Sequence, residues 1–148
     1  MPSRHRSRER ALQMIFQWEA SRDEPEKVIS SFWGGLAAEI GEETPEEDVF
    51  ANELLYGVAR RSKEIDALIR KHAANWRLER MAAVDRNILR MAIHEMREGA
   101  TPPAIAINEA IELGRRYSGD QSARFLNGVL DAIRKTLEKQ DAVEPASP

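Results

Sequence analysis

Cysteine is absent from the 148 residues. That excludes disulfides, thiolate metal sites, iron–sulfur clusters and cysteine nucleophiles together. The eight glycines, at 34, 35, 41, 57, 99, 114, 119 and 128, never frame a G-x-G. No dinucleotide fingerprint and no P-loop can be built from them. Aromatic residues make up only 6% of the chain. No apolar run approaches the roughly 20 residues needed to span a bilayer. The basic start Met1-Pro2-Ser3-Arg4-His5-Arg6 leads into no apolar stretch, so it does not read as a secretory signal. A soluble, cytoplasmic protein without membrane attachment is expected. Val, Ile and Thr form no alternating runs and no Asn-Gly or Asp-Gly turn joins such runs, so no strand is predicted.

What remains is helical spacing throughout. Ala11, Leu12, Ile15, Phe16 and Trp18 share one face of a first helix that begins at Ser7 or earlier. Asp23-Glu24-Pro25-Glu26 reads as a capped start for a second helix, with Val28, Ile29, Phe32, Trp33, Leu36 and Ile40 inward and Gly41 ending it. Thr44-Pro45-Glu46-Glu47 repeats that signal ahead of Val49, Phe50, Leu54 and Val58. A fourth segment carries Ile65, Leu68, Ile69 and Ala73. Asn75–Met81 reads as an irregular connector anchored by Trp76 and Leu78. The fifth helix, Val84 to Met96, is apolar on more than one side and is the candidate central helix. Two more follow, around Ile107–Tyr117 and, after an Asp120 cap, Phe125–Leu137. The expected fold class is all-α, about seven helices in two packed sub-bundles, about 4–74 and 75–139 within one domain of residues 1–139, with a tail at 140–148.

Catalysis finds little support. His5, His72 and His94 lie too far apart for a local metal motif, and no metal or other cofactor is expected. Glu42-Glu43 and Glu46-Glu47 sit where helix starts favour acids.

Charge is laid out unevenly. Asp23–Asp48 holds nine acids against the single base Lys27, a local charge of −8, which leaves +5 for the rest of a chain whose net charge is −3. Residues 60–97 hold ten bases and five acids. The unusual feature is Arg4, Arg6, Arg8 and Arg10 at a helix start, where the dipole disfavours cations by some tenths of a kcal/mol each. Guanidinium groups and unsatisfied backbone N–H donors there suit a docking phosphate. Arg6, Arg10, Gln13 and Gln17 form a stripe away from the apolar face, and glutamine can both donate to and accept from base edges. A second basic group joins Arg115, Arg116 and Tyr117 to Arg124 and Phe125 across a turn, an arrangement able to stack unpaired bases.

Three stretches carry a resemblance: Arg6–Gln13; Asn75-Trp76 through Val84–Arg90 to His94-Glu95-Met96; and Ala106–Leu113 followed by Arg124–Asp131. With Phe50–Val58 they resemble the NusB family over residues 4–138, the INEAIEL and FLNGVLD runs being the most specific. The resemblance implies a two-bundle helical fold without catalysis. It implies binding to the boxA element of nascent ribosomal RNA together with the ribosomal protein NusE, and action on RNA polymerase with the other Nus factors against premature termination. Carried over residue by residue, it makes Arg4, Arg6, Arg8, Arg10, Gln13, Gln121, Arg124 and Phe125 RNA-binding and Asp85 partner-facing. His94 stands where tyrosine is common, and Gln121 where some relatives carry an acid. Monomers and dimers both occur among relatives, so a homodimer stays open. Two alternatives come from other classes. One is a purely protein-binding helical scaffold. The other is the NusB-like domain of an RNA methyltransferase, disfavoured because neither a catalytic α/β domain nor a cysteine is present.

Overall fold

The computed structural model describes residues 3–41 and 46–143. Among them there are seven α-helices and no strand. The chain divides into two compact units, Met1–Arg61 and Ser62–Pro148.

The first unit contains α1 (Arg4–Ser21), α2 (Pro25–Ile40) and α3 (Val49–Arg60). Ser3 caps α1, its side chain accepting from the Arg6 N–H at 3.1 Å. Pro25 opens α2 at a position whose N–H has no intrahelical acceptor. The expected Asp23 cap is not formed: Glu24 occupies the cap position and makes no side-chain cap bond. Gly41 ends α2 at φ 79°, left-handed geometry that a side chain would strain. The Thr44-Pro45 start signal lies outside the described residues, and Glu46 and Glu47 precede α3 rather than opening it. Asp48 caps α3 instead, accepting from the Ala51 N–H at 3.1 Å. Its other oxygen accepts the Ser7 hydroxyl at 2.6 Å, a buried bond that fastens α1 to α3. Around it Ala11, Leu12, Met14, Ile15, Val28, Ile29, Trp33, Leu54, Leu55 and Val58 are buried. Phe16 and Trp18 are only half-buried, because Met14 takes the inward place.

The second unit contains α4 (Ser62–His72), a 3-10 turn at Leu78–Arg80, α5 (Ala83–Glu98), α6 (Pro103–Ser118) and α7 (Asp120–Val143). All ten residues from Asn87 to Met96 are buried, as expected of a central helix. α5 packs against α4, α6 and α7. The break between units falls at Arg61/Ser62 and not near Asn75, because α4 packs on α5 and α7. Arg90 reinforces that choice with a two-pronged pair to Asp66 (2.9 and 3.0 Å) and a bond to Asn87 (2.9 Å). At Gly114, buried on α6, an added Cβ would run into Leu126 of α7. Asp120 is the first residue of α7 and pairs with Arg115 at 3.4 Å; the expected capping role is not its part. α7 continues to Val143, so residues 140–143 extend the helix rather than the tail. Among the described residues no helix is long and apolar enough to cross a membrane.

Candidate nucleic-acid interface

The expected residues fall into two groups, one on each unit. In the first unit α1 brings four arginines in within seven residues, and the structure sorts them. Arg4 is exposed but lies over the Phe50 ring, 3.9 Å from its centroid. Arg8 is only 4% exposed, with its guanidinium 5.4 Å from the same centroid. Phe50 thus lies beneath both guanidinium groups, and Arg8 does not present its charge to solvent. Arg6 and Arg10 project elsewhere. With Glu9 and Gln13 of α1 and Leu36 and Glu39 of α2 they line a cavity of about 210 Å³.

That cavity is polar but not uniformly cationic. Glu9 is 5% exposed and pairs with Arg6 at 3.1 Å and with His5 at 3.3 Å. Arg10 leans toward the Trp33 ring, 5.8 Å from its centroid. Trp33 in turn is fixed by its indole N–H donating to Asn52 at 2.8 Å. The result is a set of donors and acceptors held on rigid helices. Such a site can read hydrogen-bonding edges as well as neutralise a phosphate. Gln17, the last member of the predicted stripe, is half-buried and does not line the cavity.

In the second unit the first turns of α7 carry Gln121 and Arg124, both exposed, and Phe125, half-buried. Asp85, in the first turn of α5, reaches the same turns: Ser122 donates its hydroxyl to the Asp85 carboxylate at 3.2 Å. Burial pushes the Asp85 carboxyl above its ordinary value, and the Ser122 bond opposes that shift. Its other oxygen is buried without a hydrogen-bond partner among the described residues. Asp85, expected from the resemblance to face a partner, therefore adjoins the turn that carries Gln121, Arg124 and Phe125, the residues expected to bind RNA. Arg115 is occupied by Glu112 (2.7 Å) and Asp120, and Arg116 leans over Tyr117.

Trp76 was expected to anchor the connector, and here the structure differs. Leu78 is the anchor, 3% exposed, whereas Trp76 is 60% exposed. The Trp76 and Phe125 rings meet edge to face with centroids 5.5 Å apart. Sequence reasoning missed Ser122 and Trp76 as members of this group. The available signal was a tryptophan followed directly by an arginine on a segment without helical spacing.

The NusB family model matches residues 5–135. The transcription antitermination protein NusB of Solibacter usitatus is 44% identical over 142 residues, covering 96% of this chain and 95% of that protein. Among solved structures, NusB of T. maritima superposes with a TM-score of 0.73 at 31% identity, over 90% of this chain and 92% of that one. A NusB solved with NusE in complex with double-stranded RNA also gives 0.73, at 25% identity, over 91% and 99%. A helical chain with these arginines on α1, matched almost from end to end by such relatives, belongs to the NusB family.

Proposed function

We propose that this chain is a transcription antitermination factor that acts by binding and not by catalysis. Its ligand is the boxA element of nascent ribosomal RNA, taken up jointly with the ribosomal protein NusE. The complex then joins RNA polymerase and the other Nus factors in the cytoplasm. The observation that carries this reading is the gathering of Arg6, Arg10 and Gln13 around one cavity at the start of α1. A helix built only for stability would place acids there. The relative solved with NusE and RNA supports the pairing of partners.

Arg4, Arg6, Arg10 and Gln13 are the contacts assigned to the first unit, and Gln121, Arg124 and Phe125 to the second. Arg8 acts from within the fold, stacking on Phe50 and holding the start of α1. Asp85 contributes to the NusE-facing surface through its place beside Ser122. Unpaired bases are preferred over duplex because an aromatic ring can stack only on a base whose face is free.

The test is the variant R6A/R10A/Q13A, assayed on a boxA-like single strand and on its scrambled control. All three side chains lie at a surface cavity, so helical signal and melting temperature should stay near those of the parent. Affinity for the boxA-like strand should fall at least tenfold. Unchanged affinity in a folded variant would contradict the assignment.

A further inference from the structure

Trp76 has no place in the core and none in the contacts assigned above, yet the fold holds it firmly. Its own N–H donates to the Ala73 carbonyl at 2.8 Å. Two and five residues on, Leu78 and Met81 are buried, and Arg86 of α5 donates to both of their carbonyls, at 3.1 and 3.0 Å. A connector fixed at both sides could have turned its largest apolar side chain inward. Instead the indole is 60% exposed and leans its edge on Phe125.

Two arginines stand beside the ring pair in sequence. Arg77 follows Trp76 directly, and Arg124, exposed and in no ion pair among the described residues, precedes Phe125. The nearby acid Glu79 is already engaged by Arg70 at 2.9 Å, whose hydrogen bond, with lesser help from Arg77, holds that carboxyl below its ordinary value. An exposed aromatic face flanked by arginines suits a nucleobase with its phosphates, and suits a lipid or an acidic peptide less well, since neither offers a flat π-face to stack.

We infer that Trp76 is a base-stacking residue: with Phe125 propping the ring, the indole face is a platform on which one unpaired nucleobase of the bound RNA lies. The inference rests on the RNA-binding reading above and adds a contact to it. The face of Trp76 takes the base, Phe125 sets the ring's tilt, and Arg77 and Arg124 meet the flanking phosphates. The platform is formed before RNA arrives, so little ordering is needed on binding.

The experiment titrates the full chain with a single-stranded boxA-like RNA of about a dozen nucleotides. Tryptophan emission and affinity are followed in the parent, W76L and W76F. Stacking should quench the Trp76 contribution, seen as quenching in the parent that W76F lacks. W76L should bind about tenfold more weakly, W76F within about threefold of the parent, with the salt slope unchanged in both because no phosphate contact is removed. The high exposure of Trp76 predicts full helicity for both variants, and the conservative W76F decides the matter should W76L lose structure. The same RNA annealed into a duplex should leave Trp76 emission unaltered. If the parent binds but W76L binds equally well, the platform is refuted and the functional reading stands. Weakened W76L without any Trp76-specific quenching also refutes it, by showing that the indole only props Phe125. If the parent ignores the RNA, the functional reading fails and the platform with it.

Discussion

Four arginines enter α1 within seven residues, and their destinations differ because their neighbours do. Phe50 captures Arg4 and Arg8, Glu9 pairs with Arg6, and Trp33 attracts Arg10. Spacing alone shows that the four are close together; which of them is buried depends on α3, more than forty residues away. Ser7 and Asp48 make the same point. Their bond satisfies a buried hydroxyl and one oxygen of a carboxylate whose other oxygen caps α3. S7A should cost about 1–3 kcal/mol, and D48A more, since it removes the cap as well. Thermal unfolding measures both, and equal melting temperatures for S7A, D48A and the parent would contradict this account of the α1–α3 junction. Asp85 allows a prediction about pH. Its carboxyl is raised in the folded chain, so the folded state holds that proton more tightly than the unfolded one. The resulting stability is fully present below the ordinary aspartate value and is lost as pH rises through the raised one. D85N keeps an oxygen for Ser122 and removes the charge. The stability of D85N relative to the parent should therefore climb over that window and hold its gain at neutral pH, as read from urea midpoints at a series of pH values. A flat difference would show that burial of Asp85 carries no such cost.

At the scale of elements, the helices were largely legible and their ends were not. Runs such as Ile88, Leu89, Ala92, Ile93 and Met96 mark α5 as central because no polar face interrupts them, and it is buried from Asn87 to Met96. Caps are harder to read. Asp23 and Asp120 look like caps in sequence, but Glu24 stands at the first position and Asp120 is already the first residue of α7, while Asp48, one acid among nine, takes up the role. Several acids can supply the same oxygen, and tertiary partners such as Ser7 select among them. The longer connector near Asn75 suggests that α4 belongs with the first helices; the Asp66–Arg90 pair that ties it to α5 spans 24 residues and has no local signature. Gly114 is the tightest approach between elements. Leu126 is fully buried and cannot swing aside freely, so G114V should cost about 1–3 kcal/mol by overpacking. A melting temperature equal to the parent's would mean that α6 and α7 separate more easily than their packing implies.

For the whole molecule, the net charge of −3 misleads, because nine acids are concentrated between Asp23 and Asp48 and the cations proposed to meet RNA lie outside that segment. The family was readable from the INEAIEL and FLNGVLD runs, which carry the buried spacing of α6 and α7. The platform residue Trp76 was not, since a tryptophan between helices is as easily an anchor as a binding surface, and only the burial of Leu78 decides between them. We propose that exposed cations and aromatic rings on these helices bind an unpaired ribosomal leader strand. The most direct test of that binding is the affinity for single-stranded boxA-like RNA as a function of salt, with NusE present. Contacts from Arg4, Arg6, Arg10 and Arg124 to phosphates predict a log–log slope of roughly −3, clearly tighter binding than to a scrambled strand, and a shallower slope in R6A/R10A/Q13A. Binding that ignores both salt and sequence, or no binding at any ionic strength, would contradict it.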